Sequence, residues 1–289
     1  MQIDGHTRLA AVLATPIKHS ISPFIHNYAF DKTGVNGVYV AWDVPEQDVA
    51  VSLENVKRYD MFGLNVSMPY KQIVVPYMDE LTDAAKLIGA VNTVINRDGK
   101  LIGHNTDGIG FFRSLKTFSN FDIKDKVMII LGGGGAATAI IAQAALNGAK
   151  KISIFNQSQF LDETNKRAQE LSQATGVKIE VFPIENQELI QTKTNESDLL
   201  VNATSVGMDG KSMVINPEMT FPSELEVVDV IYQPFETPFL KLVRGKGLHA
   251  INGLGMLLFQ AAEAFDIWTG EKMPTDDIWA ALEEKYKAN

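Results

Sequence analysis

Apolar and polar residues change their spacing repeatedly along this chain, and the changes mark out short strands alternating with helices. Residues 8–13 read as a strand, and Ser22-Pro23 opens a helix, with Ser22 as N-cap and Pro23 in the first helical position, that ends near Gly34. Residues 38–44 predict a strand, 49–59 a helix and 63–66 another short strand. Helical pieces follow over 70–78 and 82–87. Residues 90–95 and 100–104 flank the turn Arg97-Asp98-Gly99 and predict a hairpin.

Residues 107–117 predict a connecting helix, after which a second alternation begins. Strands at 127–131, 151–155, 177–182, 199–202 and 227–229 alternate with helical stretches, one of them over 136–146. That order implies a parallel sheet, because parallel neighbours need a crossover helix between them. A helix over 238–245 and a short run at 248–251 end the series. The helix after Asn252-Gly253 carries apolar Met256, Leu257, Phe259, Ala261, Ala262 and Phe265, and a last helix surrounds Trp279 and Leu282. The fold class is therefore α/β, and a chain of 289 residues favours two domains.

Between the apolar strand at 127–131 and the Ala-rich helix lie Gly132, Gly133, Gly134, Gly135 and Ala136. Glycines let backbone N–H groups approach a pyrophosphate without a Cβ in the way, and the helix start aims its positive dipole end at the anion. The Gly-x-Gly-x-x-Gly spacing is met only in part, since Ala137 stands in the last place. A flexible linker is the alternative, and it would not sit between a β-run and a helical run.

Composition narrows the chemistry further. The formal charge of −9 argues against a nucleic-acid or anionic-membrane surface and favours small-molecule chemistry. With no cysteine there is no disulfide, thiolate nucleophile or thiolate metal site, and no metal is expected. The polar N-terminal residues form no signal core, and no run approaches the roughly twenty apolar residues that span a bilayer, so a cytoplasmic location is expected.

Three polar segments carry candidate chemistry. Lys71, in Asn65-Val66-Ser67-Met68-Pro69-Tyr70-Lys71, is placed one turn into a helix just after a strand; its amine could exchange a proton with a substrate hydroxyl, or be a surface lysine. Asp107, in Asn105-Thr106-Asp107-Gly108, follows a strand at a helix start, as an N-cap or as a partner for Lys71 at an alcohol undergoing oxidation. Ser20 and Ser22, at a strand-to-helix turn, suit a carboxylate or cap the helix. Asn92 and Gln260 are amides in apolar surroundings, costly unless hydrogen-bonded to backbone or ligand. His26 has no partner motif and reads as structural.

Taken together, these segments resemble the shikimate dehydrogenase family. Ser20-x-Ser22-Pro23, Asn65-Val66-Ser67-Met68-Pro69-x-Lys71, Gly89-Ala90-x-Asn92-Thr93, Asn105-Thr106-Asp107-Gly108, the glycine turn, Asn202-Ala203-Thr204-x-x-Gly207-Met208, Asp229-x-x-Tyr232-x-Pro234 and Gly253-x-Gly255-Met256-Leu257-x-x-Gln260-Ala261 occur in the family's order over nearly the whole chain. The resemblance implies reversible hydride transfer between shikimate and 3-dehydroshikimate, a step towards chorismate and aromatic amino acids, with Lys71 and Asp107 as the catalytic pair. It assigns Ser20, Ser22 and Ser67 to the substrate carboxylate with Tyr232 nearby, and Asn92, Asp107 and Gln260 to ring hydroxyls. Many members carry threonine where this chain has Ser67. For the cofactor it implies Gly132 to Gly135, Ala136, Asn156, Gln157, Ser158, Gln159, Thr204, Ser205, Val230, Tyr232 and Gly253. The implied domains are a substrate domain at 1–110, a Rossmann domain at 111–251 and C-terminal helices at 252–289 returning to the first, with both reactants in an interdomain cleft. A monomer or homodimer is expected, with no nucleic-acid or membrane partner.

Cofactor choice belongs after the second Rossmann strand, where an acid binds the ribose 2′-hydroxyl or an arginine a 2′-phosphate. The NADP-dependent branch typically reads Asn-Arg-Thr there, whereas this chain reads Asn156-Gln157-Ser158. Losing a charge-assisted contact costs about 1.5–3 kcal/mol, which favours NAD, with NADP as the alternative. Gln159-Phe160-Leu161-Asp162, Asp122-Ile123-Lys124 and Trp268-Thr269-Gly270 resemble the bifunctional quinate/shikimate branch, where an aspartate near the place of Gln159 favours NAD. Asp162 is the acid and Lys166 and Arg167 the bases at hand. That branch raises quinate as a second substrate. Two other readings remain: a dehydrogenase for an amino acid or a folate, and a non-catalytic nucleotide sensor.

Overall fold

The computed structural model describes residues 3–287. The chain divides into two compact units: the part up to Gly110 is joined by Leu258–Lys285, and Phe111–Leu257 makes up the body of the other.

The first unit is built from β1 (Arg8–Ala14), α1 (Ser22–Thr33), β2 (Gly37–Asp43), α2 (Val49–Arg58), β3 (Gly63–Val66), β4 (Glu80–Leu81), α3 (Asp83–Ile88), β5 (Thr93–Arg97), β6 (Lys100–His104) and the start of α4 (Asp107–Ser119). Its sheet runs β2-β1-β3-β5-β6-β4. β1 is parallel to β2 and β3, while β5 is antiparallel to both β3 and β6. The reversal at β5–β6 is a two-residue hairpin: Asp98 and Gly99 both take positive φ, 53° and 81°, a backbone whose twist matches that of the flanking strands. Leu13, Leu53, Leu64, Val66, Val94 and Leu101 fill one core.

Three local expectations are corrected here. Ser22 is the first helical residue of α1 rather than its cap, because Ile21 already has near-helical dihedrals; the Ser20 hydroxyl instead accepts the Ser22 N–H at 3.2 Å. Residues 70–78 are not a helix. They form consecutive turns ending in the 3₁₀ turn Val75–Tyr77, since Pro76 supplies no N–H and biases Val75 before it away from the α region. The strand read from residue 90 begins at Thr93, and residues 90–92 form the loop leading into it.

The second unit contains β7 (Val127–Leu131), α5 (Gly135–Leu146), β8 (Lys151–Asn156), α6 (Leu161–Thr175), β9 (Lys178–Pro183), α7 (Gln187–Asn195), β10 (Leu199–Asn202), β11 (Glu226–Asp229), α8 (Pro238–Gly245) and β12 (Ala250–Ile251). All neighbours in its sheet, β12-β11-β10-β7-β8-β9, are parallel. Central strands of such a sheet are covered on both faces, and Met128, Ile129, Ile130 and Leu131 are accordingly buried without alternation. The chain ends in α9 (Leu254–Thr269) and α10 (Thr275–Lys287). In the first unit, the Trp268 indole N–H of α9 donates to the Val94 carbonyl at 3.0 Å, and the Phe265 side chain is fully buried. Among the described residues, no helix is long and apolar enough to cross a membrane.

Candidate active site

Strand polarity collects the polar segments of the first unit at one end of its sheet. β1 and β3 run side by side, with Leu13 level with Val66, so the loop carrying Ser20 and the segment carrying Ser67 and Lys71 leave the sheet together. β5 runs the other way, and its first residue, Thr93, lies level with Asn65 of β3 and with His104 at the end of β6. Asn92 just before β5 and Asp107 just after β6 therefore emerge beside Ser67. The segment is fastened there by backbone: Val66 N–H donates to Asn92 O, Val91 N–H to Lys71 O, and Ser67 N–H to Leu13 O, all between 2.8 and 3.0 Å.

Lys71 Nζ stands 2.6 Å from Asp107 Oδ2, with the lysine side chain 21% exposed and the aspartate 10%. A hydrogen-bonded pair this enclosed still keeps access for a ligand. Asn92 Nδ2 donates to Asp107 Oδ1 at 2.8 Å, and Asp107 N–H donates to Asn105 Oδ1 at 3.1 Å. Asn92 is only 2% exposed, so its amide acts on the carboxylate it touches. Ser20, Ser22 and Ser67 are half-buried. The buried Tyr39 phenol donates to Asn65 Oδ1 at 2.7 Å. Gln260 lies on α9 against Gly110 of α4, where any Cβ would run into the Gln260 backbone.

Sequence reasoning passed over Tyr39, Asn65, Thr93 and Thr106, which continue this network. Asn65 Nδ2 donates to Thr93 Oγ1 at 3.2 Å, Thr93 Oγ1 to Asn92 Oδ1 at 2.9 Å, and Thr106 N–H to the same oxygen at 2.8 Å. The available signal was an asparagine and a threonine at buried strand positions, where a polar group needs a partner. His26 is buried and stacks on the Tyr39 ring at 4.2 Å; both its nitrogens lack a partner, and burial lowers its pKa to about 3.

In the second unit the glycine turn separates into two roles. Gly132 takes φ 108° against the Ala203 carbonyl, and a Cβ on Gly133 would strike the Asn156 amide, so these positions are closed by the protein itself. Over Gly134 and Gly135 there is open space, and Gly134 caps α5 without a side chain. Uncapped N–H groups under open space are what a pyrophosphate requires, and the turn fits a dinucleotide. Asn156 Nδ2 donates to Thr164 Oγ1 at 2.9 Å, while Gln157, Ser158 and Gln159 are exposed beyond β8. Asn202 Oδ1 accepts from both the N–H and the hydroxyl of Thr204, shaping the loop to Ser205. Gly253 N–H donates to Ile231 O at 3.0 Å and its Cα abuts the Val230 carbonyl. Tyr232 belongs to this unit, packed edge-on to Tyr286 at 5.9 Å, and burial raises its pKa. Asp229 accepts from Thr237, Asn202 and Ile231, and burial still raises its pKa to about 6.

Residues 12–94 match the model of the shikimate dehydrogenase substrate binding domain, and residues 253–283 that of the shikimate 5′-dehydrogenase C-terminal domain. A protein of Streptococcus mutans named shikimate dehydrogenase (NADP(+)) is 70% identical over the full length of both chains. The chain belongs to the shikimate dehydrogenase family. Another member, shikimate 5-dehydrogenase of Listeria monocytogenes solved with shikimate and NAD, is 44% identical, covers 98% of each chain and superposes with a TM-score of 0.93. Quinate dehydrogenase of Corynebacterium glutamicum, solved with NAD, is 26% identical over 96% of this chain and 99% of its own, with a TM-score of 0.87. Shikimate dehydrogenases thus share both the sequence order and the two-unit architecture seen here.

Proposed function

We propose that this member of the family catalyses reversible hydride transfer between shikimate and 3-dehydroshikimate, in the cytoplasm, with NAD as the favoured cofactor. The observation that carries the reading is the Lys71–Asp107 pair at 2.6 Å, enclosed yet accessible at the sheet end where Ser20, Ser22 and Ser67 also emerge. A nicotinamide, when bound, supplies the hydride acceptor or donor. The chain's own part is the proton and the orientation. As the substrate C–H is oxidised, its hydroxyl proton passes to the Lys71 amine, and the Asp107 carboxylate stabilises the ammonium that results. In reduction the same proton returns to the oxygen as the carbonyl takes up hydride. Asp107 is kept in place by Asn92, and the serine hydroxyls suit the substrate carboxylate.

The backbone N–H groups at the start of α5 would hold the pyrophosphate, with Asn156 to Gln159 and Thr204 beside it. NAD is favoured because Gln157 stands where an arginine would take a 2′-phosphate, and Arg167 is turned to Thr138 at 3.1 Å and to Glu163. The Streptococcus mutans relative carries NADP(+) in its name and the Listeria structure carries NAD, so this half of the reading needs its own measurement. Similarity to a quinate dehydrogenase favours quinate as a second substrate. Initial rates with shikimate and quinate, each against NAD and NADP, give four specificity constants. The expected maximum is shikimate with NAD. A maximum with NADP overturns the cofactor assignment, and no turnover with either acid overturns the reaction.

A further inference from the structure

The ribose 2′ position in a dinucleotide fold is read at the end of the second strand, here β8, and Gln157, Ser158 and Gln159 bring no acid to it. A carboxylate arrives there from the neighbouring strand. β9 pairs with β8 so that Asn156 lies level with Pro183, and Ile184 N–H donates to Asn156 O at 2.9 Å, which fixes the next residue, Glu185, beside the end of β8. Glu185 Oε2 accepts the Ser158 hydroxyl at 2.9 Å and Oε1 accepts the Ser158 N–H at 3.3 Å.

We propose that Glu185 is the residue by which this chain discriminates against the 2′-phosphate of NADP, acting through its two contacts to Ser158. The inference deepens the NAD assignment above and rests on it. Ser158 offers the backbone and hydroxyl donors that a phosphate would take at this place, and the carboxylate already holds both. Its own backbone N–H, and then these two hydrogen bonds, keep the Glu185 carboxyl below its usual range, so the group is an anion at neutral pH. A 2′-phosphate must then displace one anion from Ser158 or sit against it. No arginine at position 157 offsets the repulsion, and the Gln157 amide oxygen is occupied by Gln159 Nε2 at 3.1 Å. A ribose hydroxyl, by contrast, donates to the lone pairs the carboxylate has left.

The sequence hides this residue because the acid sits well beyond the segment where the motif places it, in the turn after the following strand. Only the parallel pairing of β8 with β9 brings it to Ser158.

The test is equilibrium binding, which does not depend on turnover. Calorimetry gives Kd for NAD and NADP, and for adenosine 5′-diphosphate and adenosine 2′,5′-diphosphate, with the wild type, Glu185→Gln and the control Glu218→Gln. Glu218 is an exposed acid of the same unit, so it reports the effect of net charge alone. Glu185→Gln is expected to shift the NADP-to-NAD ratio of Kd about tenfold towards NADP, more at low ionic strength, with the same shift between the two fragments. Glu218→Gln is expected to leave the ratio within about twofold of wild type. A Glu185→Gln ratio equal to the wild-type ratio, or an equal shift in Glu218→Gln, overturns the proposal. Wild-type preference for NADP would overturn the NAD assignment instead, and the change on substitution still judges Glu185.

Discussion

Asn92 gives one amide hydrogen to Asp107 Oδ1 at 2.8 Å and the other to Thr106 Oγ1 at 3.0 Å, leaving Asp107 Oδ2 to Lys71. The direction of that amide is set from behind, where the Thr93 hydroxyl donates to Asn92 Oδ1. Thr93→Val removes one of the donors to that oxygen, leaving the Thr106 N–H, and loosens the amide. The expected result is a fall of about tenfold in kcat/KM for shikimate, with kcat reduced more than KM is raised, and recovery in Thr93→Ser. Wild-type kinetics in Thr93→Val would show that the threonine only fills space.

Lys71→Met keeps most of the side-chain volume and removes the proposed proton-exchanging group. A loss of about 10²–10⁴ in kcat is expected, the usual contribution of a positioned acid or base. Steady-state assays in both directions should show the same loss, and wild-type turnover would remove Lys71 from the chemistry.

Gly133→Ala places a Cβ against the Asn156 amide, whose nitrogen donates to Thr164 and whose oxygen accepts the Gln157 N–H. Overpacking at such a point costs about 1–3 kcal/mol, and the displaced turn should weaken NAD binding more than it lowers the melting temperature. Titration of the variant with NAD, beside its thermal unfolding, separates the two effects.

Gln157→Arg restores the charge that a 2′-phosphate lacks. NADP affinity should rise by about one to two decades, equivalent to about 1.5–3 kcal/mol. The rise should shrink with added salt, because the site is exposed. A rise independent of salt would contradict a charge effect.

Two buried groups give opposite responses to pH. His26 is held down to about 3 from 6.5 by burial, so the unfolded chain takes up the proton first. Its contribution is complete above pH 6.5 and is lost as pH falls through 6.5 towards 3. Asp229 is pushed up to about 6 from 3.8, so the folded chain keeps a proton that the unfolded chain gives up. That contribution is complete below pH 3.8 and is lost as pH rises to about 6. Urea unfolding across this range should show a flatter acid limb in His26→Phe. In Asp229→Asn the loss between pH 3.8 and 6, on the order of 3 kcal/mol, should disappear.

Much of this architecture was legible in the sequence, because periodicity and turn residues act locally. The strand at Val127–Leu131, the glycine turn and the Asp98-Gly99 hairpin each follow from neighbours along the chain. The helix read over residues 70–78 failed because its apolar spacing was counted without Pro76 within it and Pro69 just before it. Ser22 failed as a cap by a single residue, since the conformation of Ile21 decides where α1 starts. The candidate pair Lys71 and Asp107 was visible as two residues, whereas their meeting depends on β5 running against β3 and β6. Glu185 was not visible at all, because a contact between the turns that follow two adjacent parallel strands leaves no mark at a fixed sequence spacing.

The first unit takes its closing pieces from the far end of the chain: Phe265 and Trp268 of α9 pack with His26 and Tyr39 only after all of Phe111–Leu257 has been made. On the ribosome, the all-parallel sheet of the second unit therefore has every strand available before the first unit has its last helices. The half that carries Lys71 and Asp107 is translated first and completed last. Until then its aromatic cage stands open, so exposure to aggregation and proteolysis lasts to the end of synthesis within the unit that holds the proposed catalytic pair.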